Sequence, residues 1–158
     1  MFKGIDKIEQ VLNTFLEAFE CSVRLDTDFC YLYEESVIGY ALITSEKNNN
    51  AFLANAKKLF PTITADIFLW SFLHELGHHE TIEEITDKEA EISMYVKNHL
   101  DDYPEAERNN IYFNLPDENA ATTWAGEYML DHTAEVAKLW KTLQPLLKNF
   151  YVLNNITD

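Results

Sequence analysis

The stretch that decides the reading is Ala65-Asp66-Ile67-Phe68-Leu69-Trp70-Ser71-Phe72-Leu73-His74-Glu75-Leu76-Gly77-His78-His79-Glu80. Its apolar residues fall on nearly every side of a 3.6-residue turn, so the spacing predicts a buried, central helix over about 65–80, with Thr64 as its N-cap. On so apolar a rod the polar residues are the ones that need a reason. An unpartnered polar group taken out of water costs about 1–3 kcal/mol by protein mutational measure.

His74-Glu75-Leu76-Gly77-His78 has the form H-E-x-x-H. A four-residue step on a helix sets two imidazoles one turn apart on the same face, aimed at a common point, which suits zinc. Glu75 lies about 100° round from His74, beside the two ligands, where its carboxylate can take the proton of a metal-polarised water without occupying a coordination position. It is the natural general base for hydrolysis of a peptide bond. Gly77 costs about 1 kcal/mol against alanine inside a helix, which points to a close approach by a neighbouring helix.

Catalytic zinc uses three protein ligands and an open position, so a third ligand is needed from elsewhere. Two glutamates qualify. Glu118 is centred on a face made by Ala121, Ala125, Tyr128 and Met129, and a lone carboxylate there needs a partner. Glu89 shares a face with Ile92, Val96 and Leu100, but it also stands three residues after Thr86 in a capping-box pattern, which offers it a local role and makes it the runner-up to Glu118. His79 points about 100° away from His78 and reads as a supporting residue rather than a ligand. Tyr128 and His132 are candidates to hydrogen-bond the oxyanion of a tetrahedral intermediate.

Working outward, Ile5, Ile8, Val11, Leu12, Phe15 and Phe19 stripe one face of a first helix over about 5–20. Residues 22–25, 29–33 and 37–44 then read as short strands, with a turn at 34–36, and the last of them is a possible sheet edge for an extended substrate. Lys47-Asn48-Asn49-Asn50 reads as a polar break before a helix that Pro61 ends. Further helices are expected over about 87–100 and 116–130, separated by an acidic connector at 101–113. A final helical region capped by Thr133 is expected to kink or split at Pro145.

The chain has 158 residues, 47% of them hydrophobic, which predicts a single domain spanning 1–158 with its own core. Twelve basic residues face 27 acidic ones, a net charge of −15 that repels phosphate backbones and anionic lipid, so direct nucleic-acid and membrane binding are not expected. Cys21 and Cys30 lack metal-ligand spacing and read as reduced thiols. The acidic first twenty residues lack the pattern of a signal peptide, and a cytoplasmic location is expected.

With these motifs in hand, the chain resembles the ImmA/IrrE family of gluzincin-type zinc metallopeptidases, many of them encoded by phages and mobile elements. HELGH at 74–78 matches the family's metal motif. Glu118-x-x-Ala121-Thr122-x-Trp124-Ala125 resembles its second motif, E-x-x-A-N-x-F-A, with Thr122 where asparagine is usual and Trp124 where phenylalanine is usual. The resemblance covers about 64–130, with the helix over 87–100 as an insertion. It implies Glu118 as third ligand and a protein substrate such as a transcriptional repressor.

The expectation is therefore an α+β fold: a mostly helical, zincin-like domain with a small antiparallel sheet near the N-terminus and zinc held between two helices by His74, His78 and Glu118. The alternative function is a non-catalytic, zinc-containing acidic protein that sequesters a basic DNA-binding partner, a reading motivated by the net charge.

Overall fold

The first apolar stripe folds as α1, Ile5–Leu16, in a computed structural model that describes residues 2–156. Ile8, Leu12 and Leu16, one turn apart, are fully buried along it. A single 3-10 turn, Glu17–Phe19, and the left-handed Glu20 then release the chain into the sheet. The strands are β1, Ser22–Leu25, β2, Cys30–Leu32, and β3, Val37–Tyr40, in the spatial order β1-β3-β2.

The sheet is mixed, which corrects the antiparallel expectation. Successive strands do reverse direction, and β2 and β3 form an antiparallel pair across a 3-10 turn at Tyr33–Glu35 and a left-handed Ser36. Because β3 inserts between β1 and β2, it meets β1 running the same way, with Val23 opposite Ile38. The third strand is thus central rather than an edge. It also stops at Tyr40 rather than at residue 44, and the buried Ala41 and Leu42 leave the sheet. The Tyr151 hydroxyl donates to the Leu42 carbonyl there, satisfying a group that no strand partner takes.

The helices begin and end somewhat differently from the sequence expectation. α2 runs Glu46–Leu59, with Ser45 as N-cap accepting from the Asn48 amide, so the asparagine run forms the first turns of the helix instead of a break before it. α3, Ile67–Thr81, is capped by Asp66, not Thr64, through a 2.8 Å bond from the Phe68 amide. α4, Asp87–Asn98, carries the full Thr86–Glu89 capping box. The supposed connector contains α5, Glu105–Phe113, entered at Pro104, whose side chain forecloses an earlier start.

α6, Pro116–Asp131, and α7, Thr133–Leu153, complete the chain. α7 runs through Pro145 without splitting. Val136, Leu139, Leu143, Leu147 and Phe150 are buried on both sides of that proline, and at about 1.5–3 kcal/mol per buried side chain they outweigh the ~3 kcal/mol an interior proline costs.

α3 is the central rod, buried from Phe68 to Gly77 except at Ser71, and it packs along α6. Gly77 permits this: a Cβ on it would run into the Ala121 carbonyl of α6. Among the described residues no helix is long and apolar enough to cross a membrane.

Candidate metal centre

The α3 backbone sets His74 and His78 one turn apart with ring centroids separated by 4.8 Å and planes at 87°. Glu118 arrives from the first turn of α6, where Pro116 fixes the helix start. Only 3% of Glu118 is exposed, and apart from Thr122 the rest of the buried face of its helix is apolar. One carboxylate oxygen lies 3.1 Å from His74 Nε2 and the other 3.1 Å from His78 Nε2. Ligand atoms from these three residues fall within 4.8 Å of one another, so the buried cluster could hold a metal ion.

The donor set fits such an ion. For Nε2 of His74 to offer its lone pair, Nδ1 must carry the ring proton, and the fully buried Thr122 Oγ1 stands 2.9 Å from Nδ1 as its acceptor. Thr122 therefore fixes the orientation of the His74 ring. The Phe52 ring meets the His74 ring edge to face at 5.2 Å and closes its other side.

Glu75 is buried beside the cluster with a carboxylate oxygen 4.0 Å from His78 Nε2, outside the converging trio. Burial pushes its carboxyl above the usual range, with the two histidines partly opposing and Glu118 adding to the rise. Burial also pushes Glu118 up, but hydrogen bonds from His74 and His78, and their charge, outweigh it and hold that carboxyl well below the ordinary value. His78 shows the converse: burial lowers its pKa, but the hydrogen bond and negative charge of Glu118 raise it further.

Two residues at the site escaped the sequence reading. The Lys97 ammonium, from α4, donates to Asp117 and Glu118 at 2.8 Å each and sits 5.4 Å above the Tyr112 ring. Tyr112, from α5, lines the cavities on both sides of the cluster. Burial and the neighbouring Glu118 and Glu75 carboxylates push its hydroxyl far up, so it stays a proton donor. Placing 101–113 in a connector hid Tyr112; the apolar Ile111-Tyr112-Phe113 run just before α6 was the signal available.

Other expectations are corrected or assigned structural work. Glu89 is spent on Thr86, receiving its amide at 3.2 Å and its hydroxyl at 2.9 Å on the exposed start of α4, and it does not join the cluster. His79 shares a 2.7 Å hydrogen bond with the Tyr31 hydroxyl and another of 2.8 Å with the Phe19 carbonyl, tying α3 to the sheet. Tyr128 and His132 do not reach the cluster. They stack at 4.2 Å and, with Trp124, line a separate cavity of about 830 Å³ facing α1 and α7. Lying ten and fourteen residues past Glu118, they are about 15 and 21 Å farther along the helix. Cys21 and Cys30 are free thiols.

No protein-family model, curated protein or solved structure matches the chain.

Proposed function

We propose that this protein is a zinc-dependent endopeptidase of the ImmA/IrrE kind, with a zincin-like fold, in which His74, His78 and Glu118 hold the metal and Glu75 is the general base. The observation that carries the reading is the convergence of two imidazole nitrogens and one buried carboxylate, with a second, separately placed carboxylate beside them. Zinc is the metal favoured by a two-nitrogen, one-oxygen set with room for a further ligand. When bound it supplies Lewis-acid polarisation of a substrate carbonyl and of a water molecule.

The chain's own residues do the rest. Glu75 accepts a proton from water as its oxygen bonds to the scissile carbonyl carbon, then delivers that proton to the departing amine nitrogen as the C–N bond breaks. A raised carboxyl pKa suits a group that must both take and return a proton. Tyr112, held as a neutral donor, is suited to hydrogen-bond a developing oxyanion, the part first assigned to Tyr128 or His132. β2 is an edge strand whose Cys30 and Tyr31 line the cleft, a template for an extended peptide. The resemblance points to a regulatory protein such as a repressor as substrate, met in the cytoplasm.

The test is direct. Purified protein should carry about one equivalent of zinc and cleave peptide or protein substrates. Glu75→Gln should retain the zinc and lose at least 100-fold in rate, in line with removal of a general base. Metal-free protein as purified from zinc-supplied cells would refute the centre. A wild-type protein that holds zinc and an intact basic partner without cleaving it, unaffected by Glu75→Gln, would favour the acidic sequestering protein instead.

A further inference from the structure

The candidate centre stands where two cavities meet, and their walls differ in kind. Phe29, Glu75, Tyr112 and Glu118 belong to both. On the His74 side, a space of about 360 Å³ carries the amides and hydroxyls of Asn48, Asn49, Asn109 and Ser71 beside the rings of Phe52 and Phe113. On the His78 side, a space of about 460 Å³ is bordered by Ile82, Ile85, Met94 and Tyr33. Both volumes fall in the range that ligand sites use.

Tyr33 and Met94 are 63% and 66% exposed, yet they come from separate elements, the turn after β2 and helix α4. Large apolar side chains left open at the lip of a buried polar centre form a surface that only an apolar ligand group would cover favourably.

Charge narrows the ligand further. Asp28, Glu75, Asp117 and Glu118 line these spaces against one lysine, Lys97, and its ammonium is already held at 2.8 Å by two of those carboxylates. No cation in either wall is left to receive an acidic side chain, and the chain as a whole carries −15. A carboxylate on the ligand would meet repulsion from both walls.

We infer that the substrate is a peptide segment with a large apolar side chain on the His78 side of the scissile bond, an uncharged polar or cationic side chain on the His74 side, and no acidic residue at either position. This rests on the peptidase reading and specifies its substrate class. The apolar group covers Met94 and Tyr33, and the polar group finds hydrogen bonds among the asparagines.

The experiment scans a peptide library with the zinc-loaded protein and its Met94→Glu and Asn109→Leu variants. Both substituted residues lie on the exposed surface, and circular dichroism checks that each variant is folded. In parallel, zinc-loaded Glu75→Gln, alone and combined with Met94→Glu, is titrated with labelled peptides by fluorescence anisotropy. Cleavage beside Leu, Phe, Met or Tyr is expected, with a tenfold or larger fall in kcat/KM when either flanking residue becomes Glu. Met94→Glu should erase most of the apolar preference and admit Lys in that place, while Asn109→Leu should weaken the polar preference on the other side. Cleavage or binding indifferent to the flanking residues overturns the substrate class and leaves the peptidase reading standing. Selective binding lost in Met94→Glu, without hydrolysis by the wild type, supports the class and sinks the peptidase. Neither binding nor cleavage of any peptide overturns both.

Discussion

Thr122→Val isolates what one hydroxyl does for the centre. Valine keeps the shape of a side chain that is fully buried, so packing changes little, but it removes the acceptor 2.9 Å from His74 Nδ1. His74 is itself only 4% exposed, so water cannot replace the lost partner. The ring must then either bury an unsatisfied N–H, at about 1–3 kcal/mol, or move the proton to Nε2 and give up the lone pair that a metal would use. Both routes weaken binding. Loss of such a supporting partner reduces metal affinity by about 10–100-fold, which is about 1.4–2.7 kcal/mol. Competition against a chromogenic zinc chelator measures the affinity, and denaturant unfolding with and without zinc separates it from any general loss of stability. Thr122→Ser, which keeps the hydroxyl, should recover most of the affinity. A valine variant within twofold of wild type would show that Thr122 does not hold His74 for a metal.

Three further outcomes follow from the same geometry. Glu118→Gln should cost at least 100-fold in zinc affinity, whereas Glu89→Gln should leave it unchanged and lose only about 1 kcal/mol of stability through its cap, read by the same chelator competition and unfolding. Gly77→Ala should destabilise the protein by about 1–3 kcal/mol in denaturant unfolding, because a Cβ striking the Ala121 carbonyl outweighs the ~1 kcal/mol gain in helix propensity. The pH response of the metal-free protein has a definite sign. His78 has a raised folded pKa, so its contribution is fully present below the ordinary histidine value of 6.5 and is lost as pH rises through the raised one. Glu75, also raised, loses stability in the same direction, starting from its ordinary 4.5. Glu118, held low, contributes above its ordinary 4.5 and fails only toward strong acid. Metal-free protein should therefore lose stability as pH rises above 6.5 while zinc affinity climbs in the same direction, and apo stability that rises there would contradict the cluster.

The clustered residues were legible because their geometry is local or nearly so. His74 and His78 are fixed by helix pitch alone, and Glu118 stood out because a carboxylate on an apolar face demands a partner. The Thr86 box made Glu89 the weaker of the two candidates, since both halves of that motif lie within one turn, and Glu89 stays outside the cluster. What failed was tertiary. Strand order depends on which strand β3 slides between, and nothing in three short β-branched runs encodes that choice. Tyr128 and His132 share a helix with Glu118, but a side chain can serve only the surroundings at its own height on that helix. Lys97 and Tyr112 come from the segment between the two motifs, where no spacing rule links them to residues 74–78 or 118.

Charge accounting around the cluster shows why that intervening segment belongs to the site. Glu75 and Glu118 bring two buried negative charges, the half-buried Asp117 adds a third beside them, and the half-buried Lys97 returns one positive charge. With both imidazoles neutral the balance is −2, a charge no protein interior holds without compensation. The metal-free chain can approach neutrality by keeping protons on His78 and Glu75, and both groups have pKa values driven upward, Glu75 chiefly by burial and His78 by its carboxylate neighbours. A divalent cation cancels the same −2 without them. It would free His78 to coordinate and Glu75 to ionise, so occupancy and the readiness of the base would arrive together. Without Lys97 the deficit would be −3 and a dication would leave the site charged.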